Sequence, residues 1–279
     1  MAWTNTTTTT TADAFEPSIW AAEIEPYAES NLVAEGIVTH FPFTQGGQVL
    51  YLPKMGQISC NAAITDGTDV TLTANTETSV TITPAGREAA VFIPWTVMAT
   101  TMADTIPAYQ REIGRSIRTD RDYRMLTQVA SLTTNTVGGA ANHVDKAVFL
   151  EANGLIRSAD ASPPYNAVFH TDEFQYFFAI AEFVDASKSG STDRIERGLG
   201  GFLIGTSIYF SSNVYASGGV NYNFVGGARC LAYAAKVGLT IEINQIPEKG
   251  NGTLILGKYM DETAILNDAY GVQYQTQAA

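Results

Sequence analysis

Asp104–Leu132, DTIPAYQREIGRSIRTDRDYRMLTQVASL, is the longest helical pattern in the chain. Asp104 or Thr105 can cap it by accepting from first-turn N–H groups. Pro107 falls in the first turn, where its missing N–H breaks no helical bond. Thr133-Thr134-Asn135 and then Gly138-Gly139 stop it. Ile106, Tyr109, Ile113 and Ile117 recur at three and four residues, so they share one face. Arg111, Arg115 and Arg118 fall on the opposite face. Beyond Ile117 the apolar stripe moves: Arg124 takes the old position, and Tyr123, Leu126 and Ala130 mark a new one. A helix whose apolar face changes half-way is expected to pack on different partners at its two ends. No other pattern of this length occurs, so strands, loops and short helices are expected to hang from this one.

With 279 residues the chain fits one large domain or two modest ones. A net charge of −12 on 16% charged residues argues against a sequence-specific DNA binder, whose affinity rests on neutralising phosphates. It leaves room for a local basic face, and solubility is the plain account of the acidity. Cys60 and Cys230 lie far apart without metal-ligand spacing, and two thiols make a poor disulfide framework. No basic-then-apolar leader opens the chain, and no apolar run reaches the roughly 18–20 residues that span a bilayer. The expectation is a soluble protein made in a reducing cytoplasm.

Residues 1–14, MAWTNTTTTTTADA, form a biased stretch that builds no core. It reads equally as a disordered tail or as an arm that orders against a neighbouring chain. Phe15–Val38 carries a short helix from Ser18, restarted at Pro26 and ended by Gly36. Gly46-Gly47 opens the strand Gln48–Pro53, and Thr78–Thr83 and Ala89–Val97 are further strand patterns. Between Pro53 and Thr78 there is little to bury, so a hairpin there needs another surface to lie on. After the long helix, Val144–Ala159 reads as a helix and Asn166–Phe169 as a strand. Thr171 or Asp172 then starts a helix with Phe174, Phe177, Phe178, Ala181 and Val184. This order suggests an α/β layer. Ser187–Gly201 is a polar loop, Gly205–Val214 a strand and Phe224–Ala235 a glycine-interrupted apolar segment. Leu239–Ile246, Thr253–Met260 and Gly271–Thr276 are closing strands, expected to return to the layer that holds the long helix. One discontinuous domain would then carry an inserted one.

The chemistry is sparse. His40, His143 and His170 sit in no metal-ligand spacing, and His170 beside Asp172 fits a helix cap better than an acid/base pair. No nucleophile elbow, P-loop or dinucleotide fingerprint is present, and Gly198, Gly200 and Gly201 have the wrong spacing for one. No catalytic, cofactor or metal residue is nominated. Five of the sixteen basic residues fall between Arg111 and Arg124. Glu112 with Arg115 and Asp120 with Arg124 have the spacing of helical ion pairs, worth about 0.2–0.5 kcal/mol each. Two acids cannot neutralise five arginines. Arg111, Arg115 and Arg118, with Arg121, are therefore candidate DNA-facing residues that would meet phosphates without reading sequence. A solvated helix face is the plain alternative.

The order of parts carries more than any motif. FEPSIW at Phe15–Trp20 is similar to the F-x-P-x-x-W start of the major capsid proteins of tailed double-stranded DNA bacteriophages. GGQVLYLPKMG at Gly46–Gly56 is similar to their G-x-x-(V)-x-(I/L)-P-x-x-G opening of an extended loop, and GKYMDETAIL fits their last sheet. From about Ala14 to Gln275 the chain resembles this family, which has the Hong Kong 97-type capsid fold.

The resemblance implies an α+β fold with an N-terminal arm and short helix at 1–45 and an extended β-hairpin loop at 46–96. It implies a peripheral domain with a long spine helix at 97–142 and 238–279, and an inserted α/β axial domain at 143–237. It implies hexamers and pentamers of the chain in an icosahedral shell around packaged DNA, assembled in the host bacterial cytoplasm and ending in the virion. A separate scaffolding protein, a portal and a decoration protein are the implied partners, with no membrane and no cofactor. Phe15, Trp20, Lys54, Asp66 and Asp69 are the candidate intersubunit residues. Some members cross-link through a loop lysine; Lys54 is the lysine of this loop, but no further residues establish such a site and no bond is expected. An encapsulin-type compartment shell is the near alternative, and an α/β enzyme without a recognisable motif the remote one.

Overall fold

The computed structural model describes residues 32–43, 47–56, 58, 74–100, 105–180, 201–247 and 251–278. Two sheets and one long helix organise them. Strands β1 (Thr39–Pro42), β11 (Leu231–Ile246), β12 (Gly252–Ile265) and β4 (Ala85–Ile93) form a four-stranded sheet in the order β1-β11-β12-β4. The second sheet runs β5 (Thr136–Gly138), β13 (Gly271–Gln277), β10 (Val220–Gly226), β6 (Tyr165–Phe169), β8 (Thr206–Phe210) and β7 (Phe202–Leu203), with β9 (Ala216–Ser217) on β10. A separate hairpin pairs β2 (Leu50–Met55) with β3 (Glu77–Ile82). The helix α1 (Trp95–Thr100) precedes the spine helix α2 (Thr105–Thr127), which a 3₁₀ turn, Gln128–Ser131, continues.

The shift of face along α2 has a structural cause. In its first half Ile106, Ile113 and Ile117 pack on Ala89, Val91 and Ile93 of β4, Ile241 of β11, and Ile255 and Tyr259 of β12. In its second half Met125 and Leu126, with Val129 and Leu132 just beyond, pack on a different set. That set includes Val168 and Phe224 of the second sheet, Leu231 and Tyr233 of β11, and Ala34, Ile37 and Val38. The four-stranded sheet thus stays beside the second half through Leu231 and Tyr233, and Arg124 adds an ionic contact with Asp261 of β12. Two expected apolar positions differ. Tyr109 and Tyr123 are exposed, and the new buried face includes Asp122 and Met125 beside Leu126.

Alternation along β11 places the two other packing layers. Leu231 and Tyr233 face the spine, while Ala232 and Ala234 face Leu52 and Ile82 of the hairpin. Successive side chains of a strand point to opposite faces, so these small residues let the hairpin lie close on the sheet. Gly257 of β12 does the same on the spine side. A Cβ there would come within 2.5 Å of Ile113 Cγ2 and 2.7 Å of Ile117 Cδ1. Gly257→Ala is expected to overpack this contact and cost about 1–3 kcal/mol. Urea denaturation of the unassembled subunit measures it; a change under about 0.5 kcal/mol would mean the helix shifts away freely.

The α/β unit is built on α3 (Lys146–Ser158), capped by the Asp145 carboxylate, which accepts from Ala147 N–H. Phe149, Ala152 and Ile156 pack on Ala167, Phe169, Ile208 and Val225. The expected helix after the strand is shorter in its described part: a 3₁₀ turn, Thr171–Glu173, leads into Phe174–Phe177. His170 supplies the cap, its ring nitrogen 3.3 Å from the Asp172 backbone N–H. Residues 181–200 lie outside the described residues.

The last strand corrects the sequence reading. The closing strand Gly271–Thr276 reads from the sequence as returning to the layer of the long helix. It pairs instead antiparallel with β10 and parallel with β5, in the second sheet. Its side chains show why. Val272 and Tyr274 are fully buried in the α3 core, while Gln273 on the other face donates to Val129 O at 3.2 Å. The second sheet is thus covered on both faces, by α3 and by the end of the spine.

Candidate functional site

The spine helix carries the arginines, and the structure divides them. Arg115 Nε donates to Glu112 Oε2 at 2.9 Å. Arg121 donates to Glu35 Oε2 at 2.6 Å and lies 5.8 Å from the Tyr233 ring centroid. These two of the four DNA-facing candidates are therefore engaged with acids of their own chain. Arg111 and Arg118 are exposed and make no ion pair among the described residues. Among the described residues the strip is two unpaired guanidinium groups with paired ones between and beyond them.

Arg124, on the sheet side, is part of the frame. It donates to Asp261 Oδ1 at 2.8 Å and to Asp120 Oδ2 at 3.0 Å, and Tyr233 and Tyr259 hydroxyls donate to Asp261 and Asp120. The Asp261 side chain is 2% exposed. Burial works against the Arg124 charge, but the hydrogen bond and charge of Asp261, with Asp120, outweigh it and hold the guanidinium more firmly protonated than usual. Burial, then the Asp120 hydrogen bond, pushes the Tyr259 hydroxyl up to about 12.

A second carboxylate stitches the end of the spine to the turn before β13. Asp268 accepts from the backbone N–H and hydroxyl groups of both Thr133 and Thr134. Partial burial opposes its charge, but these hydrogen bonds win and hold its carboxyl below the usual range. A depressed folded value means the clamp contributes fully above the unfolded value near about 3.9, and is lost as pH falls through the folded one. Asp268→Ala is expected to cost about 1–2 kcal/mol at neutral pH and almost nothing near pH ~2. Denaturation curves at both pH values check it; an equal loss at both would place the effect outside the ionised carboxylate.

Lys54 does not point away into solvent. Its ammonium donates to Leu266 O at 2.6 Å and ties the hairpin to the end of β12. The same strand carries a surface that was not nominated. Leu52 is buried inward, while Tyr51 and Met55 are 64% and 76% exposed on the outer face. The alternation in LYLPKM was the signal for it. Phe15, Trp20, Asp66 and Asp69 lie outside the described residues.

The remaining chemistry is structural. His143 Nδ1 sits 3.2 Å from Glu173 Oε1, its ring stacked on Tyr176, and His40 Nε2 lies 3.2 Å from Glu35 O. Burial, with the nearby Asp268 charge, pushes the Cys230 thiol up to about 12, far from a reactive thiolate at neutral pH. Among the described residues no group of three or more His, Cys, Asp or Glu is placed to hold a metal ion, and no helix is long and apolar enough to cross a membrane.

No family model matches the sequence, and no curated protein matches it. Solved structures do. A chain of Mycobacterium phage Che8 superposes with a TM-score of 0.77 at 15% identity, covering 98% of both chains. The capsid of a native GTA particle matches with a TM-score of 0.72 at 12% identity, over 99% of this chain and 100% of that one. The mature capsid of bacteriophage PhiM1 matches at 0.71 and 12% identity, over 95% and 92%. The chain therefore has the α+β fold of these phage capsid chains from end to end.

Proposed function

We propose that this chain is the major capsid protein of a tailed bacteriophage, and that its copies assemble as hexamers and pentamers into an icosahedral shell around double-stranded DNA. The end-to-end fit to phage capsid chains carries the reading. The hairpin supports it. Its inner face packs on the subunit's own sheet, while Tyr51 and Met55 face outward, as a strand surface shared with a neighbouring copy would. In this reading the spine helix and four-stranded sheet form the peripheral part of the subunit, and the α3 unit with its sheet the axial part. The protein works as a structural subunit rather than a catalyst.

Within the arginine strip, Arg111 and Arg118 are the residues left to meet phosphates. Arg111 and Arg118, unpaired among the described residues, would release about two counterions per subunit and contribute about −2 to the salt slope. Nuclease treatment of particles from infected cells tests the function. Protected genome-length DNA inside shells built of this chain is the expected result. Shells enclosing protein cargo and no DNA would overturn it in favour of a compartment shell.

A further inference from the structure

The four-stranded sheet ends on one side in a strand that is only half covered. β1 pairs with β11 at Ala232–Ala235 and stops. Register shifts then interrupt β11 against β12 between Ala235 and Val237 and between Val237 and Thr240. From Thr240 to Ile246 the pairing with β12 is regular again, running from Lys258 to Gly252. Among the described residues no strand pairs with the other edge of that segment. Exposure follows from this. Ile255 of β12 is fully buried, while Ile243 directly opposite it on β11 is 47% exposed.

An open edge is normally blunted by charge, by proline or by brevity. The end strands of the two larger sheets follow that rule. β5 and β7 have three and two residues, β1 ends in Pro42, and β4 carries Arg87 and Glu88. Thr240–Ile246, TIEINQI, is seven residues long, with no proline and one charge, Glu242. That carboxylate is already paired with Lys258 Nζ of β12 at 2.5 Å. The segment is also self-complementary. Laid antiparallel on a second copy about Ile243, it sets Ile243 against Ile243, Ile241 against Gln245, Glu242 against Asn244 and Thr240 against Ile246. No like charges stand directly opposite, so the repulsion that would oppose such a pair is absent.

We propose that Thr240–Ile246 of β11 pairs antiparallel with the same segment of a second copy of this chain, joining two four-stranded sheets across a twofold axis. The backbone N–H and C=O groups of the two open edges bond to each other. Ile241 packs against the spine helix, and Ile243, two residues on, shares its face. Ile243 of each copy therefore covers the other on the spine side of the joined sheets. The same patch serves both partners, as an isologous contact requires. One strand pair buries less than the roughly 1,200 Å² of a stable complex, so the contact is weak between two free subunits. It tightens where other contacts already hold copies together. It needs two copies and no shell, and so stands apart from the capsid reading.

A short bismaleimide links cysteines that stand opposite each other, and so reads the register in the full-length, unassembled chain. In a Cys60→Ser background, Ile243→Cys is expected to give a species of twice the monomer mass at least about tenfold faster than Leu239→Cys. Both positions are exposed in the subunit, but the pairing holds the two copies of residue 239 about 27 Å apart. Mixed Ile241→Cys and Gln245→Cys chains are expected to give the product faster than either chain alone. Ile243→Lys added to both of those chains is expected to abolish it, by setting two ammonium groups opposite each other. Ile243→Lys on one with Ile243→Glu on the other is expected to restore it. Equal rates for Ile243→Cys and Leu239→Cys, or a mixed product that Ile243→Lys leaves unchanged, would overturn the pairing. The readout uses free subunits, so neither result depends on whether shells form.

Discussion

Replacing Asp122 with alanine is expected to cost the subunit about 3–5 kcal/mol, the largest loss from any single substitution considered for this chain. Its carboxylate is 5% exposed and accepts three hydrogen bonds. Two come from Val33 and Ala34 N–H, and the third from Asn213 Nδ2 at 2.9 Å. One side chain thus joins the arriving N-terminal segment, the spine and the segment between β8 and β9. Alanine leaves two buried donors and one partly buried donor without an acceptor, each buried one costing about 1–3 kcal/mol before water relieves some of it. Asp122→Asn is expected to cost only about 1 kcal/mol, because an amide keeps one acceptor and can exchange roles with Asn213. Urea denaturation of the unassembled subunit distinguishes the two. A loss under about 1 kcal/mol for Asp122→Ala would mean that the three donors find other partners.

Tyr51→Glu combined with Met55→Glu is expected to abolish assembly and leave the subunit folded. Both side chains stand on the outer face of the hairpin, away from its own sheet, so folding should change by no more than about 0.5 kcal/mol. An interface that covers them loses an aromatic anchor, worth about 2 kcal/mol or more, and gains two carboxylates to desolvate. The loss repeats at every copy of the contact. Leu52→Ala is the contrasting change: Leu52 packs on the subunit's own core, so that variant is expected to lose about 2–4 kcal/mol of folding stability. Sedimentation velocity reads the first effect and denaturation the second. Normal assembly of the double glutamate variant would show that the outer face meets no neighbour.

Periodicity made the spine legible. Arg124 in the line of Ile113 and Ile117 marked the change of face, because a charge there cannot sit in an apolar contact without a partner. The partner, Asp261, is 137 residues away, and no local pattern names it. Asp122 was hidden for a related reason. Its residue type reads as surface, and only three donors from distant segments make its burial tolerable. The same distance limited the arginine strip, since Glu35 neutralises Arg121 from 86 residues away. Gly271–Thr276 follows the α/β unit in the chain and so reads as returning to the layer of the long helix, whereas β13 pairs with β10 and β5. The 3₁₀ turn Asp268–Tyr270, held by Thr133 and Thr134 on Asp268, redirects the chain instead. The hairpin's outer face is legible in the sequence as the Tyr51–Met55 alternation, but a half-exposed strand pattern does not by itself say which of its faces meets the subunit's own sheet.

Electron cryomicroscopy of the chain co-expressed with a scaffolding protein tests the central claim most directly. The expected result is closed icosahedral shells of hexamers and pentamers in which Tyr51 and Met55 of each subunit are buried on a neighbour. A folded monomer that forms no capsomer under those conditions, or shells in which that hairpin face stays exposed to solvent, would contradict it.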